Sequence, residues 1–236
     1  MQKILSSMRK AVERYKLIED GDKIAVGLSG GKDSLVLLKA LKMFQRFGIY
    51  NYDIVAVVID IYSGNEDYSH LQKFCDEIGV ELVIEQTDIH QIVFEERGEK
   101  NPCSLCAKMR RGALNSVANK YGCNKLALGH HLQDVIETFF LSLLYEGRLS
   151  TMKPKSYMSN SQITLIRPLF LTHENVIRAV SKDFPVKKSK CPADKDSRRQ
   201  DIEKLIEDIN KLIPDSKKRI ENAIISTDSY NLLDKE

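Results

Sequence analysis

DKIAVGLSGGKDSLVLLKAL, residues Asp22 to Leu41, is an apolar strand that delivers a turn of small residues carrying Lys32 and then enters an apolar-periodic helix. That order makes a phosphate cradle. Gly27, Gly30 and Gly31 allow close approach to the backbone, the first helical amides point at an anion, and Lys32 supplies a point charge. The spacing excludes the commonest nucleotide loops. A Walker A loop places Ser or Thr after its lysine, whereas Lys32 is followed by Asp33, and Gly27 stands one residue too close to Gly31. The glycine spacing does not fit the dinucleotide fingerprint either.

Working outward, strands and helices alternate. Residues 24–28, 52–60 and 81–85 read as strands, with helices over 34–47 and 68–78 between and after the first two. The apolar middle of the second strand, Ile54 to Ile59, predicts a parallel sheet covered on both faces. Beyond it come a charged turn at 95–100, a helix over 105–121, a short strand at 125–128 and a long apolar helix over 134–145. A polar segment, 148–162, reads as a mobile loop before a last clear strand at 163–166 and a helix over 172–181. An amphipathic helix over 1–18 precedes the first strand, and helices over 199–212 and 217–225 end the chain. The fold class is therefore α/β, a Rossmann-like parallel sheet with helices on both faces. The expected organisation is an N-terminal helix (1–20), a nucleotide domain (21–190) and a C-terminal helical extension (191–236). Ligands of such sheets sit at the carboxyl ends of the strands, where Ser29 to Ser34, Asp60 and His130 to Asp134 fall.

With 42% hydrophobic and 29% charged residues, the 236-residue chain has an ordinary globular composition. It shows neither a secretory apolar region nor a membrane-spanning run, so the expectation is a cytoplasmic protein without a membrane partner. Five cysteines suit a reducing compartment and point to metal or thiol chemistry before a disulfide framework. Charge is uneven: Arg148 to Arg199 holds twelve Lys or Arg against four Asp or Glu, and Gln200 to Glu236 six against nine. The basic stretch, with Lys187-Lys188 and Arg198-Arg199, could face a phosphate backbone.

Asp33 and Asp134 are carboxylates of the kind that hold a hard cation, although Asp134 equally suits the cap of the helix it opens. Of His130 and His131, one reads as a phosphate or substrate contact and the other as packing. Cys103 and Cys106 lie within reach of one metal, and Cys191 could add a third thiolate; the pair alone also suits zinc or thiol exchange. Three cysteines are the number that leaves one iron of a cubane 4Fe-4S cluster open. Cys75 and Cys123 read as packed residues.

Ser29-Gly30-Gly31-Lys32-Asp33-Ser34 resembles the pyrophosphate loop (PP-loop) of enzymes that cleave ATP between its α and β phosphates to adenylate a substrate. Gly129 to Thr138 is similar to the second signature of that superfamily, with Gln133 where the first of two acids usually stands. Pro102-Cys103-Ser104-Leu105-Cys106, Arg110-Arg111-Gly112, Arg167-Pro168-Leu169 with Glu174, and Cys191-Pro192 together resemble the tRNA 2-thiocytidine synthetase family. The resemblance implies an adenine nucleotide alpha hydrolase-like fold, and ATP bound by Ser29, Gly30, Gly31, Lys32, Asp33, Ser34, Asp60, Gly129 and His130. It implies Mg2+ on Asp33 and Asp134, and a 4Fe-4S cluster on Cys103, Cys106 and Cys191. Catalysis would rest on Lys32, Asp33, Asp134 and the three cysteines. The substrate would be tRNA, adenylated at a pyrimidine carbonyl, with sulfide or a cysteine desulfurase as sulfur donor. Apolar stripes on the terminal helices could serve a homodimer or pack on the parent domain. The alternatives are a sulfur-independent adenylating ligase of the lysidine-forming or amidating kind, a small-molecule sulfur-transfer or desulfurating relative, and a non-enzymatic nucleotide- or RNA-binding protein.

Overall fold

Alternate residues along each central strand serve two different cores. In the computed structural model, which describes residues 1–97, 102–187 and 198–226, Ile24, Val26 and Leu28 of β1 (Asp22–Leu28) face one core, while Ala25 faces the other. In β2 (Tyr52–Asp60), Ala56 and Val58 join the first core and Val55, Val57 and Ile59 the second. A strand apolar on both faces has to be covered twice. The first core is closed by α1 (Gln2–Tyr15), α2 (Lys32–Gln45), α3 (Ser69–Ile78) and α6 (Glu174–Val180), and the second by α4 (Pro102–Lys120).

With β3 (Glu81–Gln86), β4 (Lys125–Ala127), β5 (Lys155–Met158) and β6 (Ile163–Ile166), the sheet runs β3-β2-β1-β4-β6-β5. All pairs are parallel except β5 with β6. After β3 the chain crosses back to place β4 on the free side of β1, so the crevice beyond β1 and β4 is the topological switch where such sheets bind ligands.

The described chain forms two compact units. The sheet and α1, α2, α3, α4 and α6 make the first. The second consists of α5 (Leu132–Glu146), α7 (Arg198–Leu212) and α8 (Ser216–Ile225), packed through Leu132, Ile136, Phe140, Ile202 and Ile206. No helix among the described residues is long and apolar enough to cross a membrane.

Two local expectations change. The segment 148–162, expected as a mobile loop, contains β5, whose edge pairing comes from β6 and not from any alternation in Lys155-Ser-Tyr-Met158. The helix expected from residue 105 begins at Pro102, so both Cys103 and Cys106 lie inside it, within its first two turns.

Candidate active site

The anion turn is built by two glycines and two serine side chains. Gly30 has φ +75°, a conformation that favours glycine, and Gly31 is extended at the N-cap of α2. Ser29 Oγ accepts the Gly31 N–H at 3.3 Å, while Ser34 Oγ donates to the Gly31 carbonyl at 2.9 Å and accepts the Ser29 N–H at 3.2 Å. The turn is therefore preset, and the amides of the first turn of α2, which have no helical acceptors, remain for an anion.

Gly27 has a different role from the one expected. It lies inside β1, and a Cβ there would stand 2.9 Å from Leu128 Cδ2, so its bareness serves packing between neighbouring elements and not approach to a ligand. Gly129 shows the tightest constraint: a Cβ would stand 2.9 Å from the Asp33 carbonyl carbon and 3.0 Å from the Ser34 nitrogen. The exit of β4 thus lies directly against the start of α2.

Lys32 Nζ is 3.1 Å from Asp33 Oδ2 and 3.1 Å from Glu174 Oε1. Burial alone would lower its pKa, but the charges of Asp33 and Glu174 outweigh it and raise the value, so the ammonium stays charged. Glu174 opens α6 and is also 2.9 Å from Arg178 one turn later; burial opposes its ionisation, and the two cations nevertheless hold its carboxyl below the usual value. The distant pairing of Glu174 with Lys32 is the functional contact that motif reading did not supply.

Asp33 Oδ1 has His131 Nε2 at 3.5 Å and no hydrogen bond among the described residues. His131 is buried, whereas His130 is partly exposed and accepts a hydrogen bond from Arg167 Nε at its Nδ1, 3.2 Å away. The two histidines thus divide as alternate residues leaving a strand do. Asp60 is buried and accepts the N–H groups of Tyr62 and Gly64 at 2.9 and 2.7 Å and the Tyr68 hydroxyl at 3.2 Å, organising the loop after β2. The Lys187 N–H meets the Gly30 carbonyl at 3.3 Å, which brings the start of the basic stretch to the rim of the turn.

In the second unit, Asp134 Oδ1 is 2.7 Å from Arg199 Nη1, which is also 3.5 Å from Glu137 Oε2. Burial, reinforced by Asp134 and Glu203, pushes the Glu137 carboxyl up to about 7 against the opposing pull of Gln133 and Arg199.

Cys103 and Cys106 stand three residues apart at the start of α4, the first exposed and the second buried. That spacing puts both thiols on one side of the helix, at its N-terminal end. Cys191 lies outside the described residues. Burial raises the thiol pKa of Cys75 to about 11 and raises that of Cys123, which suits packed side chains and not ligands.

A lysine-bearing anion turn at the switch point of a mostly parallel sheet defines a PP-loop protein, and the model of the PP-loop domain family matches residues 2–200. The chain belongs to the tRNA 2-thiocytidine synthetase family within that superfamily. It is 38% identical to tRNA-cytidine(32) 2-sulfurtransferase of Pseudomonas syringae pv. tomato over 96% of this chain and 84% of that protein. With the protein of the same name from Geobacter sulfurreducens it shares 38% identity over 100% of this chain and 93% of the relative. Among solved structures, the U34-tRNA thiolase NcsA from Methanococcus maripaludis with its [4Fe-4S] cluster superposes with a TM-score of 0.74 at 26% identity, covering 94% of this chain and 77% of that one. The NH3-dependent NAD synthetase of Campylobacter jejuni shares the fold, with a TM-score of 0.51 at 14% identity over 100% of this chain and 97% of that one.

Proposed function

We propose that this protein is an ATP-dependent, 4Fe-4S-dependent tRNA sulfurtransferase that replaces the C2 oxygen of a cytidine with sulfur. A pyrimidine C2 carbonyl is a poor electrophile with a poor leaving group. Attack of its oxygen on the α phosphate of ATP forms the O-adenylate and expels pyrophosphate; hydrosulfide then adds at C2, and the C2–O bond breaks to release AMP. Negative charge grows on the departing pyrophosphate, and Lys32 with the first amides of α2 is placed to stabilise it. Ser29, Ser34 and Gly30 hold that turn in shape, and Gly129 lets the β4 exit approach it. Asp33 and Asp134 are proposed, on the two sequence motifs, as the carboxylates for Mg2+. Asp60 acts by fixing the loop at the end of β2, and His130, oriented by Arg167, is the histidine for contact with a phosphate or the substrate.

Cys103 and Cys106 fit two ligands of a cluster, and Cys191 is proposed as the third. When bound, a cluster with one open iron supplies a site that binds and activates sulfide. The finer parts of this reading are a sulfide or desulfurase donor, a cytoplasmic location and a homodimer.

The observation that carries the proposal is the presence, in one unit, of the Lys32 turn after β1 and two thiols one turn apart at the start of α4. Anaerobic purification should yield about four iron and four sulfide per chain. Cys103→Ala should lose them, together with thiolation of unmodified tRNA, while retaining ATP binding. A chain that carries no cluster even after reconstitution, yet releases AMP in the presence of tRNA, would instead be a sulfur-independent adenylating ligase.

A further inference from the structure

A second concave site lies in the first unit away from the anion turn, between the middle of α4 and the β5–β6 turn, with a volume of about 510 Å3. None of its nine lining residues is charged; they are mainly Asn and Ser, with Tyr157 and Met158 at the β5 side. Phosphates and metal ions are poorly served by such a lining. A neutral planar ligand with hydrogen-bonding edges is well served.

Three observations narrow the ligand. Tyr157 sits on the edge strand with 66% of its surface exposed, leaving an aromatic face open for stacking. Asn115 Nδ2 is 3.7 Å from Met158 Sδ, and its Oδ1, shielded from solvent, accepts no hydrogen bond among the described residues, so a turn of this pocket-lining side chain toward a ligand donor would satisfy it. Gly112 lies inside the 19-residue α4, where glycine is the least favoured residue after proline, yet nothing lies within 4 Å of the position its Cβ would take. No neighbour among the described residues explains that glycine; a ligand close to the helix backbone would. The wall itself is preset, because Asn119 Nδ2 donates to the Ser161 carbonyl at 3.1 Å and ties the β5–β6 turn to α4.

We propose that this pocket takes one unpaired nucleobase of the tRNA substrate, stacked on Tyr157 with an exocyclic amine or ring N–H donated to Asn115. The assignment rests on the tRNA sulfurtransferase reading and extends it to a binding subsite. Single-stranded RNA is recognised by this combination of an aromatic platform and amide side chains reading base edges. The exposed Lys108, Arg111 and Lys120 on the same helix are available to the flanking phosphates. Asn115 lies nine residues beyond Cys106 on α4, about 14 Å along the axis, so the base held here is a neighbour of the modified cytidine and not the cytidine itself.

The chain has no tryptophan, so Tyr157→Trp introduces a unique fluorophore that retains stacking. Titration with an unmodified tRNA transcript should quench it saturably. Tyr157→Ala and Gly112→Leu should each weaken tRNA binding about tenfold, with the melting temperature of Gly112→Leu at or above wild type to separate lost recognition from lost folding. Binding of tRNA to wild type with no quenching and unchanged affinity in both variants overturns the subsite and leaves the sulfurtransferase reading intact. Failure of wild type to bind tRNA overturns both. Quenching by a sulfur-donor protein, with tRNA affinity unchanged in the variants, makes the pocket a protein-docking surface and also overturns the proposal.

Discussion

Two lysines of the first unit each sit between two carboxylates, at opposite ends of the sheet. Lys125, the first residue of β4, is 2.6 Å from Asp22 Oδ2 and 2.8 Å from Glu19 Oε2. Asp22 also accepts the Glu19 N–H at 2.7 Å and Asn124 Nδ2 at 2.8 Å, and both Lys125 and Asp22 have side chains only 4% exposed. Lys32, beyond the other end of β1, stands 3.1 Å from each of its carboxylates, is 29% exposed, and adjoins an Asp33 oxygen that takes no hydrogen bond among the described residues. The composition is the same and the consequence differs. A buried cation whose anion has all its partners is a fixed part of the fold, because no ligand can compete for it. A half-exposed cation, more loosely paired beside a helix N-terminus, can exchange a carboxylate for a phosphate oxygen.

Lys125→Ala tests the buried end, since it strands the Asp22 carboxylate in the interior. Urea unfolding should show a loss of about 3–5 kcal/mol, while the folded fraction still binds ATP. Lys32→Ala should do the reverse: stability within about 1 kcal/mol of wild type, with tRNA-dependent AMP formation about 100- to 1,000-fold slower. Neutral stability in the first variant, or unimpaired AMP release in the second, would break the distinction.

The functional end of the sheet was legible from sequence because its determinants are local. Ser29 to Ser34 specify a turn whose strand, glycine conformations and helix start lie in one short run, and residues 52–60 were read to the residue. What sequence left open depends on partners far along the chain. β5 has a polar, non-alternating sequence and exists because β6 pairs with it. Gly27 reads as a glycine of the phosphate cradle until Leu128 is placed against it, and adjacency alone does not tell which of His130 and His131 turns inward toward Asp33. Glu174 carried a family resemblance without a role until α6 brought it to Lys32. Lys125 is illegible in sequence, since one lysine opening a short strand gives no sign of being buried.

A third charged cluster, in the second unit, sharpens the comparison from the acid side. One half-exposed Arg199 serves both Asp134 and Glu137, and the carboxyl of Glu137, raised by burial to about 7, is incompletely compensated. The folded state therefore binds this proton more tightly than the unfolded chain, whose value is near 4.5. Stability should be unaffected below that value, fall as pH rises from about 4.5 to 7, and level off above. The full loss is on the order of 3 kcal/mol. Glu137→Gln removes that dependence, so its urea midpoint should gain on wild type between pH 5 and pH 8; a parallel pH profile in the two proteins would mean that Arg199 neutralises both acids.

The smallest effect is the most discriminating for Lys32. Glu174 does two opposed things: it holds the ammonium in position, and it competes with an incoming phosphate for the same charge. Glu174→Gln keeps the shape and removes the negative charge, leaving Asp33 as the remaining carboxylate within 4 Å of Lys32 among the described residues. If competition dominates, ATP should bind about two- to fivefold tighter, consistent with a partly exposed pair worth up to about 1 kcal/mol. The maximal rate of AMP formation should fall by a similar factor, because the lysine is less well oriented toward the leaving pyrophosphate. Unchanged affinity with a lower rate would make Glu174 a positioning residue alone. Weaker affinity with an unchanged rate would show that the Lys32 end owes its readiness to the turn, and that its exposed carboxylates matter less than the contrast with Lys125 requires.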